Sequence, residues 1–255
     1  MRRAFRSGAA GRAGGRTLPA GLVSRVERDV ARELRMTGQS GSSHAIRAAF
    51  FLGLQTRPGT AREASLHGVL AQQELVQAIL GLTAIERHVL HADSHQMGFG
   101  DAHEWRAIYS GALAVARVAH AAMHIGLEAW LPPIGLDMHD KIDLLTFLPT
   151  TNDGLCIQVK SDNSVAETVC TPMRHDTPDA KAETDPYLRT FLRGVRIYAD
   201  RTSGRWQAVF IRIGSKGALP SDLDGCADIH RPILECFMRQ IPGTAAHVRV
   251  LGRHA

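Results

Sequence analysis

An α/β fold, with a mixed sheet flanked by helices and a helical region ahead of it, is the class this sequence predicts. Three observations predict it. From Ala45 to His91 apolar residues recur at three- and four-residue steps. After Gly126 the apolar period drops to two. From Asp101 onward the two kinds of segment follow in the order helix, strand, strand, strand, helix, strand, which suits a layered sheet with helices on both sides.

Three regions follow. Residues 1–44 are rich in Gly, Ser and Arg, with Arg2, Arg3, Arg6, Arg12, Arg16 and Arg25 and no acid up to Val26. This composition predicts a flexible basic arm with one short helix between Leu22 and Leu34. It lacks the apolar block of a secretory signal, and an organelle presequence stays open as an alternative. Residues 45–100 form the helical region. Leu66, Val69, Leu70, Val76, Ile79, Leu80, Ile85 and Val89 mark its apolar face. Pro58-Gly59 breaks it, and Thr60 or Ser65 is the expected start of the long helix. Residues 101–255 form the sheet domain.

Within that domain, Asp101 and Glu104 have the D-x-x-E spacing of a capping box, and the helix they open should run to about Ile125 with Gly126 as its stop. Its apolar side includes Trp105, Ile108, Ala112, Val115, Ala119 and Met123, and the dominance of small residues favours close packing on a sheet. A short strand is expected around Leu127 to Leu131, then a break at Pro132-Pro133. Lys141 to Leu148 reads as a strand, Pro149 to Gly154 as a turn and Leu155 to Lys160 as the hairpin partner. Ser161 to Thr184 reads as a long polar loop carrying Arg174, His175 and Lys181. Asp185 to Tyr198 should be a helix, Trp206 to Ile213 a strand, Ile229 to Ile241 a helix and His247 to Leu251 a last short strand.

The chemistry concentrates in Ile142-Asp143-Leu144-Leu145 and in the run from Gly154 to Ser161. Side chains at i and i+2 share one face of a strand, so Gln158 and Lys160 point together while Leu155, Ile157 and Val159 point the other way. A polar pair opposite an apolar triplet needs a partner, since lysine is almost never buried unpaired. Asp143 on the neighbouring strand is the simplest one, and a purely structural ion pair is the ordinary alternative. An acid, an amide oxygen and an ammonium at one sheet end suit metal-assisted phosphodiester hydrolysis. Asp143 and Gln158 would offer hard oxygen ligands, and Lys160 would orient water or stabilise developing charge.

The segment from Lys141 to Phe147 followed by Gly154 to Asp162, KIDLLTF and GLCIQVKSD, resembles the PD-(D/E)xK nuclease superfamily, in the form found in Mrr-like restriction endonucleases and archaeal-type Holliday junction resolvases. The resemblance spans roughly residues 101–215. It implies a restriction-endonuclease-like core with the element order given above, Mg²⁺ or Mn²⁺ as cofactor, and DNA as partner. It puts the metal-binding aspartate on Asp143, the catalytic lysine on Lys160 and the second acid on Gln158, a departure that Mrr-like members share. Many such nucleases also carry a glutamate inside the first core helix. Here that helix has no acid from Ala107 to Ile125, so Glu104 and Glu128 are the nearest substitutes. Each also fits a plainer role, Glu104 as a capping-box residue and Glu128 as a solvated strand residue.

Other features are weaker. Arg189, Arg193 and Arg196 form a stripe at i, i+4 and i+7 that suits phosphate contacts or an ordinary solvated face. His88, His91 and His95 have helical spacing, with His103 close by, and His120 and His124 sit four apart. A net charge of +5 and a pI near 9.3 favour an acidic partner, while 5% aromatic content speaks against a base-stacking platform. Cys156, Cys170, Cys226 and Cys236 include no C-x-x-C pair, which fits a reducing cytoplasm and no zinc ribbon. No run of about 18 apolar residues exists to span a membrane. The leading expectation is a metal-dependent DNA endonuclease, with a homodimer left open. The competing ones are a nuclease-fold protein that binds nucleic acid or a protein partner without cleaving, and an interaction protein whose helical half matters most.

Overall fold

The computed structural model describes residues 43–55, 59–83, 85–87, 90, 102–151, 153–162, 167–174, 185–202, 204–214, 223 and 227–241. The elements are α1 (Ser43–Gln55), α2 (Ala61–Gly81), α3 (Ala102–His124), β1 (Glu128–Trp130), α4 (Ile134–Asp140), β2 (Leu144–Phe147), β3 (Gly154–Asp162), β4 (Val169–Met173), α5 (Pro186–Arg201), β5 (Trp206–Gly214) and α6 (Ala227–Gln240). The expected basic arm, its helix from Leu22 to Leu34, His88, His91, His95, His175, Lys181 and the strand from His247 to Leu251 lie outside the described residues, as do the side chains of His103 and Glu104.

Local chemistry fixes several helix ends. Thr60 begins α2: its hydroxyl accepts the Glu63 N–H at 3.2 Å, and Glu63 Oε2 accepts the Thr60 N–H at 2.9 Å. This reciprocal box stabilises the start by satisfying two orphan donors. α3 ends where Gly126 adopts φ 83°, so that the Gly126 and Leu127 N–H groups return to Met123 O and Ala122 O. Asp185 caps α5 by accepting from the Tyr187 and Leu188 N–H groups, and Pro186 supplies a φ already suited to the first turn.

The five strands form one mixed sheet in the order β1-β2-β3-β5-β4. β1, β2 and β3 run antiparallel in turn, β5 is parallel to β3, and β4 closes the edge antiparallel to β5. Alternation along the strands divides the core in two. Leu144, Leu155, Ile157, Val159, Val209, Ile211 and Ile213 pack with α1, α2, α3 and α6. Leu145, Cys156, Trp206 and Ala208 pack with Leu136 of α4 and with Leu188, Phe191, Leu192, Val195 and Tyr198 of α5. Ala112, Ala116, Ala119 and Ala122 on α3 are fully buried, so this helix lies close on the sheet as its composition predicts.

Two elements differ from expectation. The break at Pro132-Pro133 is followed by α4, which Pro133 caps and which is only seven residues long. Lys141, expected in the strand, instead ends α4 in the left-handed region at φ 57°, and β2 starts at Leu144. The expected polar loop contains β4. Its sequence, Val-Cys-Thr-Pro-Met, hides a strand behind Pro172, which is tolerated because β4 is an edge strand bonded only to β5.

α5 and α4 touch at Gly194. A Cβ there would collide with Asp140 Cβ and stand 2.9 Å from Asp140 O. Alanine in place of a helical glycine normally stabilises, by about 1 kcal/mol. Gly194→Ala should do the opposite and cost about 1–3 kcal/mol through overpacking. Urea denaturation of the variant against wild type checks the sign.

Candidate metal and phosphate site

β2 and β3 bring the sequence motif together. The register pairs Leu144 with Ile157, and the Asp143 N–H continues the ladder by donating to Ile157 O at 2.9 Å. Asp143 is therefore opposite Gln158, and both side chains fall on the α5 side of the sheet. Beyond this rung β2 no longer supplies backbone acceptors. The Asp143 carboxylate does so instead: Oδ2 accepts the Val159 N–H at 2.8 Å and also a hydrogen bond from Gln158 Nε2. With its Nε2 facing Asp143 Oδ2 and Val159 O, the amide turns Oε1 the other way, where it is buried without a hydrogen-bond partner among the described residues. Gln158 is 1% exposed and Asp143 8%.

Lys160 lies two residues along the same face and reaches solvent. Its Nζ donates to the Tyr187 hydroxyl at 2.7 Å and stands 4.2 Å from the centre of the Tyr187 ring. Lys141 Nζ is 5.7 Å from the same ring and donates to Met138 O at 2.9 Å. One aromatic ring thus has two ammonium groups near it, an arrangement favoured by the ring quadrupole.

A second buried acid comes from the short helix ahead of β2. Asp137 on α4 is 8% exposed, and its Oδ2 accepts from Gln73 Nε2 of α2 at 2.9 Å. Burial pushes its carboxyl up to about 6, against the Gln73 hydrogen bond and the charges of Lys141 and Lys160. Asp143 is raised well above the usual carboxylate range, first by burial and then by the charge of Asp137, against the Val159 N–H and the same two lysines. The Lys160 ammonium is lowered by loss of water around it, which the charges of Asp143 and Asp137 oppose. Tyr187 is raised by burial and by both carboxylates. Among the described residues no three His, Cys, Asp or Glu side chains are grouped to hold a metal ion. The oxygen donors here are two carboxylates and one amide.

The other candidates lie elsewhere. Glu128 is not brought to the cluster: it pairs with Phe147 at the far end of β2, and its Oε2 accepts from Trp130 Nε1 at 3.1 Å. Arg189, Arg193 and Arg196 are exposed on α5, opposite its buried apolar side. His120 is half-buried and His124 exposed. Cys156 is a core residue, as its apolar surroundings predict. Asp137, Gln73 and Tyr187 carry no motif that the sequence could show. Asp137 is six residues before Asp143, but only the unpredicted α4 and the turn at Lys141 fold it back onto the strand end. Among the described residues no helix is long and apolar enough to cross a membrane. Comparison with protein-family models, curated proteins and solved structures finds no match to this chain.

Asp137 sets a pH dependence. Its folded-state pKa of about 6 exceeds the ordinary 3.8, so the folded state holds a proton that the unfolded chain has released. Its contribution to stability is present below 3.8 and is lost as pH rises to about 6. Without divalent cations, Asp137→Asn should be more stable than wild type near neutral pH and should lose less stability across this window. Urea melts at several pH values measure it, and parallel curves for the two proteins would contradict it.

Proposed function

We propose that the protein is a metal-dependent DNA endonuclease of the PD-(D/E)xK kind. One observation carries the reading: Asp143, Gln158 and Lys160 share one sheet face at the carboxyl end of β3, with a buried amide oxygen left unpartnered beside a buried carboxylate. The order α3, β1, β2, β3, α5, β5 supports it too, since it is the helix–strand–strand–strand–helix–strand sequence that the family resemblance implies, with α4 and β4 as additions.

The donor set fits a hard divalent cation such as Mg²⁺ or Mn²⁺. Asp143 would hold it through the carboxylate, and Gln158 through Oε1 after a turn of its amide. When bound, such an ion polarises a phosphate and lowers the pKa of a water. Lys160 would then supply the second positive group. One of its three N–H donors is engaged by Tyr187, and the others can orient the attacking water and stabilise charge on the phosphoryl oxygens. Tyr187 restricts the long lysine side chain, so less orientation is left to be fixed when substrate binds. Arg189, Arg193 and Arg196 would take backbone phosphates along α5, setting position and not sequence.

A second reading, nucleic-acid binding without cleavage, draws on one detail. Gln158 presents its N–H group and not its carbonyl to Asp143, which satisfies the carboxylate without any cation.

Cleavage of duplex, single-stranded and junction DNA across a metal series separates the two. Asp143→Ala should abolish cleavage, and Lys160→Ala should lower kcat by on the order of 10²–10³ while sparing DNA affinity. Gln158→Glu should retain or gain metal affinity, because a carboxylate binds Mg²⁺ better than an amide. Salt-sensitive binding with no metal-dependent cleavage of any substrate would favour the second reading. Replacing Arg189, Arg193 and Arg196 together by alanine should weaken binding to all sequences and reduce the salt slope by roughly three, about one per phosphate contact. An unchanged slope would move the DNA-binding face elsewhere.

A further inference from the structure

We propose that Arg212 on β5 is a further phosphate-binding residue of the site, set beside Lys160 across the β3–β5 ladder, and that Asp162 competes with phosphate for its guanidinium. The inference rests on the nuclease reading above and adds to it a substrate contact from the last core strand.

The ladder places Arg212 directly. β3 and β5 are the one parallel pair among the described residues, and Lys160 and Arg212 are partners in their register. Ile211 and Ile213 pack on the α3 side of the sheet, so Arg212 falls on the α5 side with Gln158 and Lys160. Neighbouring strands lie about 4.8 Å apart, so the two cationic side chains start from one rung. The register ends two residues later, at Asp162 and Gly214. Open α/β sheets bind ligands outside the carboxyl ends of their parallel strands, and Lys160 and Arg212 stand at that end.

The pairing is unfavourable without an anion. Two cations on one rung repel each other, and Arg212 interrupts a strand whose neighbouring Ile211 and Ile213 are fully buried. Lys160 Nζ is engaged by the Tyr187 hydroxyl. Among the described residues the ion pair of Arg212 is with Asp162, Nη1 to Oδ2 at 4.0 Å, and the two side chains are 41% and 28% exposed. That distance exceeds a hydrogen bond, so the carboxylate holds the guanidinium loosely. Val169, the β4 partner of Arg212, is exposed as well, which leaves this rung open to solvent. A guanidinium offers phosphate two parallel N–H donors. Substrate binding would exchange the long Asp162 contact for a bidentate phosphate contact. Arg212 would take the non-bridging oxygens and leave the free Lys160 donors for the attacking water.

The test is binding of duplex, single-stranded and junction DNA to the full-length chain across a salt series, without divalent cation and followed by fluorescence anisotropy. Thermal melts and single-turnover cleavage with Mg²⁺ are measured alongside. Arg212→Ala should weaken binding about tenfold and lower the salt slope by about one. Arg212→Lys should restore the slope and only part of the cleavage rate, because an ammonium cannot bind phosphate bidentately. Asp162→Asn should tighten binding by about threefold, and this gain should shrink once Arg212 is gone. Weaker binding by Asp162→Asn would overturn the competing role. A purely structural ion pair would show equal losses of melting temperature in Arg212→Ala and Asp162→Asn with DNA affinity unchanged, and would overturn the whole proposal. If Arg212→Ala binds and cuts as wild type while Lys160→Ala cuts nothing, the proposal is overturned and the nuclease reading stands. If affinity and salt slope depend on Arg212 and no DNA is cleaved, the phosphate contact stands and the nuclease reading falls. No DNA binding by wild type at low salt overturns both.

Discussion

The buried carboxylate of Asp143 is the constraint on which the site depends. β2 ends its backbone pairing with β3 at this residue, and β3 continues for four more residues beside β5. The Val159 N–H would be left without an acceptor on the β2 side. Asp143 supplies one from its side chain and takes the Gln158 amide as well. A charge is thereby kept inside the sheet edge by two donors and by the nearby lysines, against the cost of removing it from water. Removing either the acid or the amide would strand the other, so the pair is set as a unit.

Everything else at the site is aimed by packing around that rung. α4 is too short to be stable alone, and it is held by its neighbours. Leu136 joins the α5 side of the core, Asp140 meets Gly194, and Gln73 bonds both ends of the approach to Asp137. Lys141 ends the helix in a left-handed conformation that costs a non-glycine residue on the order of 1–2 kcal/mol. After that turn the Ile142 N–H returns to Leu136 O at 3.3 Å, and β2 begins two residues later. Tyr187, at the start of α5, then has both lysines near its ring and accepts a hydrogen bond from the Lys160 ammonium.

Much of this was legible in the sequence, for identifiable reasons. The alternation of Leu155, Ile157 and Val159 against Gln158 and Lys160 is a period-two signal that survives in the fold, because both faces of β3 are covered by helices of different composition. The long α2 and α3 declare themselves through Thr60 and Gly126, whose roles depend on local hydrogen bonds. β4 and α4 do not. β4 holds a proline that only an edge position tolerates, and α4 spans about two turns, too few for a helical period to emerge. Asp137 was hidden with α4. Glu104 and Glu128 stand in for the expected helix glutamate because they flank the predicted helix, whereas Asp137 lies in residues 134–140, between the predicted break and the predicted strand. Gln73 was invisible for a different reason: it sits on a helical face 64 residues from its partner, and such a contact leaves no spacing to read.

The electrostatics of the cluster bear on why so costly an arrangement is built at all. Two buried carboxylates with raised pKa values weaken the fold near neutral pH, since each favours a proton that the unfolded chain would release. A purely structural network would be more stable with one of them replaced by a neutral group. The lysines do not remove the difficulty: Lys160 is itself depressed by the loss of water around it, and Lys141 has one donor committed to Met138 O. In the proposed function a divalent cation would offset these charges, and the unpartnered Oε1 of Gln158 would be a further oxygen for it. Strain of this kind concentrates where function requires it. The same charges that weaken the fold are those the proposed phosphodiester chemistry needs, and the packing of α4 and α5 keeps them together.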